Sequence, residues 1–171
     1  MEKLGYGPDN KLKLKVSTRN HLLYRDPAVI LIDQLKQIWI DGELEIIDTT
    51  VYYNRVFKKD YVVALNLSGV AVDDPDVTLF ENYGCGSLRN YNNYCDAEMT
   101  KPFEEQSRET DRKKRHELVW ELDRRLQEDI ARPIISHGRA AGCWQPYVKG
   151  VTFHSNSIYN GWRFEDAWLD R

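Results

Sequence analysis

Residues 61–95 read YVVALNLSGVAVDDPDVTLFENYGCGSLRNYNNYC, and this stretch decides the fold. An uninterrupted apolar run at 61–65 is typical of a strand covered on both faces. A loop of small residues follows at 68–72, and then Asp74-Pro75, a pair that predicts a helix N-cap and first helical residue. A polar and aromatic patch comes next at 89–94. Strand, loop and helix start in this order predict the mouth of a ligand-binding crevice.

The chain before this stretch alternates strand and helix patterns. Lys alternates with apolar residues at 11–16, which predicts a strand. Asp26-Pro27 predicts the cap of a helix that ends at Asp41-Gly42, with apolar residues at Ala28, Leu31, Ile32, Leu35, Ile38 and Trp39. A second strand is predicted around Leu44, Ile46 and Ile47, a short helix at 52–59 and a third strand at 61–67. This βαβαβ order predicts an α/β fold, a mainly parallel sheet flanked by helices.

The chain after this stretch is mostly helical in pattern. Residues 96–109 predict an amphipathic helix with Met99 and Phe103 in the core. Thr110 or Asp111 is expected to cap a second helix that runs to about Ile130, with a buried stripe at Leu118, Val119, Leu122, Leu126 and Ile130. Residues 133–137 predict a fourth strand. The last segment is aromatic and without clear period, at Trp144, Tyr147, Phe153, Tyr159, Trp162, Phe164 and Trp168. We expect residues 151–171 to pack on something absent from this chain.

Composition narrows the class of protein. The chain has 171 residues, enough for one domain with a real core, and is 42% apolar and 30% charged. Its net charge of −3 argues against a nucleic-acid-binding module. The basic run Arg112-Lys113-Lys114-Arg115 suits either an anionic partner or a solvated helix face, and nearby acids favour the solvated face. No apolar run is long enough to cross a bilayer, and no signal peptide precedes Gly5-Tyr6-Gly7-Pro8.

Acidic residues and histidines are the candidate chemical groups of this chain. Asp73, Asp74 and Asp76 could hold a divalent cation or act as paired carboxylates, but the Pro between two of them favours helix capping. Asp73 then remains as the acid expected to face a ligand. The histidines do not stand at metal-ligand spacing with other ligand types, so no metal site and no cofactor are predicted; they are His21, His116, His137 and His154.

The cysteines Cys85 and Cys95 have three interpretations: a nucleophile with its neighbour, two ligands, or a disulfide. The chain has no C-x-x-C redox spacing and no G-x-S-x-G motif. A disulfide would stabilise this short loop by roughly 3 kcal/mol and hold the polar patch in place, so we favour it. Cys143 is then unpaired and expected to be buried. The patch itself suits a small polar organic ligand, and the alternative is an ordinary surface loop.

Several short motifs, in one order and spacing, resemble the C-terminal lobe of extracytoplasmic solute-binding proteins of the peptide/nickel family of ABC importers (family 5, dipeptide- and oligopeptide-binding). The resemblance runs through nearly the whole chain. Its motifs are Gly5-Tyr6 before a strand, Asp60-Tyr61 to Ser68-Gly69, Asp74-Pro75-Asp76, Asn90-Tyr91-Asn92 before Tyr94-Cys95, Glu109-Thr110-Asp111, Arg132-Pro133-Ile134 and Val148-Lys149-Gly150.

The resemblance implies one lobe of a type II periplasmic-binding-protein fold, with ligand trapped between two lobes by hinge closure. Residues 1–150 would form the lobe, and 151–171 would be a tail that packs on the N-terminal lobe. That lobe is missing here, so we expect a truncated chain, which would also explain the missing signal peptide. The implied protein is periplasmic, non-enzymatic and partnered with a membrane permease, and the family permits a Cys85–Cys95 disulfide.

One residue departs from the family pattern. Peptide-binding relatives carry an Asp four residues before the Pro of this motif, where it pairs with the amino terminus of the peptide; here that position is Ala71. A buried ammonium without this partner would be costly, so another small organic solute is as well supported as a peptide. We expect ligand contacts from Ser68, Gly69, Val70, Ala71, Val72, Asp73, Arg89, Asn90 and Tyr91.

Two rival functions remain from the sequence. The first is a small α/β enzyme that uses Asp73, His137 or a free cysteine, but no nucleophile stands at a useful spacing from a base. The second is a sensor or regulatory module that has reused a solute-binding lobe. A gene that also encodes a DNA-binding or kinase domain would favour it.

Overall fold

The computed structural model describes residues 1–70, 72–139, 141–154 and 163–170. Contacts divide the chain into two compact units, Met1–Ser68 and Gly69–Arg171. The predicted division into a lobe at 1–150 and a tail at 151–171 stays a prediction, and Tyr159 and Trp162 of that tail lie outside the described residues.

Unit 1 has the predicted βαβαβ order. It contains β1 (Leu12–Arg19), α1 (Leu22–Leu35), β2 (Ile40–Ile47), α2 (Thr49–Phe57) and β3 (Val63–Ala64), with short 3-10 turns at Glu2–Leu4 and Lys36–Ile38. The sheet order is β2-β1-β3 and both pairings are parallel. Val16 at the centre lies beside Leu44 on one side and Val63 on the other. The α/β prediction with a parallel sheet is therefore confirmed.

The predicted start of α1 was wrong. The helix cap lies five residues earlier, at His21, whose ring nitrogen Nδ1 accepts a hydrogen bond from the Leu23 backbone N–H at 3.3 Å. Asp26-Pro27, predicted as cap and first residue, lies inside the helix. A proline there removes one helical hydrogen bond, yet the helix continues because Ala28 on its inner face is completely buried against the sheet.

The predicted end of α1 at Asp41-Gly42 was also wrong, because these two residues belong to β2. The chain reverses earlier, at Trp39, which has a left-handed φ of 62°. Gly42 allows close packing of the helix on the sheet: a Cβ added there would stand 3.0 Å from Ile32 Cγ1 and 3.5 Å from Val16 Cγ2. Gly42, which was predicted to end the helix, therefore serves to let α1 pack closely on the sheet.

The core of unit 1 lies between α1 and the sheet. Val16, Ala28 and Leu65 are its buried centre. The third strand is shorter than predicted, and Val62 is 72% exposed, so the apolar run at 61–65 is not covered on both faces. Tyr52 of α2 is fully buried and donates its hydroxyl hydrogen to the Leu65 carbonyl at 2.5 Å, which ties α2 to the end of β3.

Unit 2 is built on α3 (Pro75–Tyr83), α4 (Ala97–Arg108) and α5 (Arg112–Glu128). The prediction that Met99 and Phe103 of α4 are core residues is confirmed. The core contains Leu79, Met99, Phe103, Leu122, Leu126 and Ala131.

The predicted buried stripe on α5 is correct at Leu122 and Leu126 but wrong at its last residue, Ile130. Ile130 is 70% exposed because the helix stops at Glu128 and the chain turns through a left-handed residue there.

Two further predictions in unit 2 were wrong, and a third holds only in part. Residues 133–137 form no strand, and Ile134 and Ile135 are exposed, since no neighbouring strand is there to pair with them in the described chain. Cys143 is exposed rather than buried. The basic run at 112–115 is exposed at its first three residues, as predicted, whereas Arg115 is half-buried and paired with Asp74. A small antiparallel pair, β4 (Val148–Lys149) with β5 (Trp168–Leu169), completes the described elements.

Candidate ligand-binding site

The start of α3 is fixed by Asp74 and Pro75. The Asp74 carboxylate accepts a hydrogen bond from the Asp76 backbone N–H at 2.9 Å, and Pro75 is the first helical residue, as predicted. Arg115 of α5 donates two hydrogen bonds to the same carboxylate, at 2.9 and 2.6 Å. These bonds from Arg115, with the Asp76 N–H adding to them, hold the pKa of Asp74 below its ordinary value. Asp74 is therefore a structural anion.

The acidic trio separates into two anchored acids and one at the surface. Asp76 accepts a hydrogen bond of 2.6 Å from Gln106 Nε2, and Gln106 is completely buried. Gln106 also accepts from Arg115 at 3.3 Å, so one network joins α3, α4 and α5. Asp73 is exposed, as is Val72. The sequence argument that left Asp73 to face a ligand remains a prediction, and Asp73 makes a contact of its own within the protein.

The other residues of the predicted loop stand before α3 without regular helix or strand structure. Ser68 and Gly69 are exposed and Val70 is half-buried. Ser68 ends unit 1 and Gly69 begins unit 2. Ala71 lies outside the described residues.

Cys85 and Cys95 form a disulfide, with their Cα atoms 4.8 Å apart. Asn90 lies inside the loop that they close and is only 2% exposed. Its Nδ2 donates to the carbonyls of Gly84 at 3.0 Å and Tyr94 at 2.5 Å, and its Oδ1 accepts from the Tyr94 N–H at 3.1 Å. The amide that sequence reasoning assigned to a ligand is thus occupied by the backbone of its own loop.

Arg89 and Tyr91 flank Asn90 and lie nearer the surface. The Arg89 side chain is 56% exposed and forms a 3.4 Å ion pair with Glu81 of α3. Tyr91 is half-buried, with the Arg132 guanidinium 6.0 Å from its ring centre. Arg132 also donates to the Asn82 side chain at 3.1 Å. The structure therefore brings Arg89, Asn90 and Tyr91 together on one braced loop, with Arg89 the most accessible of the three.

The far end of the polar patch is anchored to the end of α5. Tyr94 donates its hydroxyl hydrogen to Asp129 at 2.7 Å, and Asn92 donates to the Ala131 carbonyl. Burial, with the nearby Asp129 carboxylate, raises the pKa of Tyr94, so it stays a neutral donor at physiological pH. Half of the predicted ligand patch therefore holds the loop in place.

Sequence reasoning missed a second polar cluster, in unit 1. Arg19 ends the central strand β1, and its Nη1 donates to the hydroxyls of Tyr24 and Tyr53, both at 3.0 Å. Its Nε donates to the Thr49 hydroxyl at 3.3 Å. The guanidinium carbon lies 4.7 Å from the Tyr24 ring centre and 5.2 Å from that of Tyr53. The one signal in the sequence was a polar run, Ser17-Thr18-Arg19, at the end of an apolar strand.

The electrostatics of this cluster differ from those of its neighbourhood. Burial and the adjacent Tyr53 raise the pKa of Tyr24 to about 12, so Tyr24 remains neutral and supplies no counter-charge to Arg19. Nearby on the same sheet, Glu45 accepts from Ser17 at 2.7 Å and pairs with Arg55 at 3.1 Å. Those contacts, the Ser17 hydrogen bond first, lower the pKa of Glu45. Arg55 is thus neutralised, whereas the charge of Arg19 is not.

Within the described residues, no three His, Cys, Asp or Glu side chains are grouped so that they could hold a metal ion. Among the helices that the structure describes, none is long and apolar enough to span a membrane.

No family model matches the sequence, and no curated protein matches it either. Solved structures do match in fold. The periplasmic binding protein DppA of Helicobacter pylori, in complex with the peptide STSA, superposes with a TM-score of 0.76 and 19% identity over 99% of this chain and 33% of its own. OppA of Haemophilus influenzae, in complex with the peptide RPPGFSPFR, gives a TM-score of 0.74 and 19% identity over 99% and 33%.

A more distant match is NikA of Staphylococcus aureus in complex with Ni(L-His)2, with a TM-score of 0.64 and 15% identity over 76% of this chain and 28% of its own. At these identities the likeness establishes the fold: this chain has the fold of part of a peptide/nickel ABC solute-binding protein, as the sequence motifs predicted. It spans about a third of the length of DppA and OppA. The matched proteins are binding proteins for transport and not enzymes.

Proposed function

We propose that this chain is a ligand-binding lobe of the solute-binding component of an ABC importer. The observation that carries the proposal is the superposition of 99% of the chain on DppA with a TM-score of 0.76. The matched proteins bind different ligands, two peptides and a nickel–histidine complex. The fold therefore suits a solute that is a peptide or another small organic molecule.

The proposal includes a second lobe, a location and a partner. Because the matched structures are about three times as long as this chain, we propose that it works within a longer two-lobed protein that closes around its solute. DppA is described as a periplasmic protein associated with an ABC transporter. By that analogy the protein acts outside the cytoplasm and delivers its solute to a membrane permease.

The contacts with the solute are proposed from the two predicted segments. The first contains Ser68, Gly69, Val70, Ala71, Val72 and Asp73, and the second Arg89, Asn90 and Tyr91. Exposure favours Asp73 and Arg89 as the charged contacts, since both side chains reach solvent. The buried Asn90 would contribute by holding the loop, through the three hydrogen bonds already described.

Mass spectrometry of the solute released from the denatured full-length gene product tests the function directly. We expect one dominant small organic compound, which rebinds to the emptied protein. Asp73→Ala and Arg89→Ala should each weaken rebinding by about tenfold or more, as expected for loss of a charged hydrogen bond. Absence of any bound or rebinding solute would contradict the function. Rebinding unchanged in both variants would refute the site assignment alone.

A further inference from the structure

We propose that Arg19 is the centre of a carboxylate-binding subsite in unit 1, with Tyr24 and Tyr53 as positioning residues. The solute recognised would then be a small organic compound that carries a free carboxylate. This inference deepens the proposed function and rests on it. None of the three residues belongs to the segments predicted from the sequence.

The hydrogen-bond donors of Arg19 are only partly used. A guanidinium has five N–H donors, and three of them are engaged: Nε by Thr49, and the two of Nη1 by Tyr24 and Tyr53. In the part of the chain that the structure describes, no acceptor engages the two N–H groups of Nη2. Three neutral oxygens thus fix the orientation of the guanidinium, and one nitrogen remains to donate to a ligand.

The charge of Arg19 is also unpaired. No carboxylate of the described residues lies within ion-pair distance of it, whereas the comparable Arg55 of the same unit pairs with both Glu45 and Asp60, each at 3.1 Å. Arg19 is half-buried, and a partly desolvated cation without a counter-charge is unfavourable. An incoming anion would supply that counter-charge through short, charge-assisted hydrogen bonds.

The class of anion follows from the number of charges. The side chains that contact Arg19 are hydroxyls, so the subsite offers one positive charge and one free nitrogen. That suits a monovalent carboxylate better than a phosphate dianion, which is usually held by several cations and backbone N–H groups.

The test uses the full-length gene product emptied of solute, and calorimetric titration with matched probes. The carboxylates are L-lactate, N-acetyl-L-alanine and L-alanyl-L-alanine, and the neutral-end control is L-alanyl-L-alanine amide. We expect at least one of the three carboxylates to bind. L-alanyl-L-alanine amide should bind about 10-fold or more weakly than L-alanyl-L-alanine. Binding of lactate or N-acetyl-alanine indicates a free organic acid, and binding of the dipeptide alone indicates a peptide terminus.

Two variants and one control locate the effect. Arg19→Gln should weaken carboxylate binding by about 10- to 100-fold, and Tyr53→Phe by roughly 3- to 10-fold while the fold is retained. Arg55→Gln removes a half-buried arginine from the same unit and should leave affinity unchanged. Carboxylate affinity unaltered in Arg19→Gln, equal affinity for acid and amide, or a released solute without a carboxylate would overturn the subsite while the proposed function stands. A wild-type protein that releases no solute and binds none of the probes would overturn both.

Discussion

At the scale of single residues, Asp74 performs two separable tasks. It caps α3 by accepting a hydrogen bond from the Asp76 N–H, and its carboxylate forms a bidentate ion pair with Arg115 of α5. Asparagine caps helices about as well as aspartate but carries no charge. Asp74→Asn therefore keeps the cap and removes the ion pair.

We expect Asp74→Asn to lower the free energy of unfolding at pH 7 by about 0.5–2 kcal/mol, as for a partly exposed charged pair. The folded-state pKa of Asp74 is depressed, chiefly by Arg115, so its contribution is present above the unfolded-state pKa and is lost as the pH falls through the folded-state value. The gap between wild type and variant should thus be full above about pH 5 and shrink below about pH 4. Urea denaturation at pH 7 and pH 3 measures it.

Asp111 offers a matched control for that substitution. It caps α5 through the N–H groups of Lys113 and Lys114, and no arginine in the described chain pairs with it. Asp111→Asn should therefore have an effect within about 0.5 kcal/mol. Equal losses in the two variants, or a gap for Asp74→Asn that does not change with pH, would show that the pair with Arg115 contributes nothing.

Residue types were easier to predict from the sequence than residue roles. The Asp74-Pro75 cap was predictable because its signal is local: a short acceptor followed by a residue without an N–H. The burial of Asn90 was not, since it depends on where the Gly84 and Tyr94 carbonyls lie once the disulfide loop has closed. Arg19 was missed for the same reason. Its tyrosine partners stand 5 and 34 positions away in the sequence, on two different helices.

At the scale of elements, both ends of α1 were misassigned because local signals were overridden by packing. Pro27 and Gly42 are residues that normally mark helix ends. Here Pro27 lies inside the helix, and Gly42 lies in a strand where it admits Ile32. The internal pattern of the helix was predicted correctly, because Ala28, Leu31 and Ile32 must face the sheet in any version of it. The spacing of apolar residues therefore predicted that α1 is a helix, whereas packing against the sheet determined where the helix begins and ends.

The position of Pro27 makes a prediction about stability. Pro27→Ala restores an N–H inside α1 and removes a steric clash with the preceding turn, changes worth up to about 3 kcal/mol in a helix interior. The unfolded chain gains flexibility at the same time, which costs about 0.4–1 kcal/mol. We expect a net stabilisation of about 1–2 kcal/mol, seen as a higher urea midpoint with an unchanged slope.

Pro133 is the control for that experiment. It lies outside helix and strand and is exposed, so Pro133→Ala increases the flexibility of the unfolded chain without restoring a helical hydrogen bond. This variant should be neutral or slightly less stable than wild type. If Pro27→Ala were destabilised as much as Pro133→Ala, the proline inside α1 would carry no strain.

At the scale of the whole molecule, two compact units differ in how they are held together. Unit 1 depends on a parallel sheet in which β1 is the central strand, packed against α1. Unit 2 depends on the packing of α3, α4 and α5, on an ion-pair network through Arg115 and on the Cys85–Cys95 disulfide. The βαβαβ order was visible in the sequence. The division at Ser68 was not, because it depends on contacts between elements and no change in composition marks it.

This difference predicts a local response to reduction. The disulfide closes a loop that contains Asn90, and the tyrosine next to Cys95 packs on the core of unit 2. Reduction relaxes a constraint worth up to roughly 3 kcal/mol, and the loop is held afterwards mainly by Asn90, Tyr94 and Arg132. We therefore expect faster amide hydrogen exchange at residues 84–95 and at the end of α5, with β1 and β2 unchanged.

Mass spectrometry of amide hydrogen exchange, with and without dithiothreitol, tests this prediction. Both samples carry Cys143→Ser, which removes the exposed free thiol and so prevents thiol–disulfide exchange with Cys85 or Cys95. Equal acceleration in β1 and β2 would mean that the two units unfold as one, and no change at residues 84–95 would mean that the hydrogen bonds of Asn90 hold the loop without the disulfide.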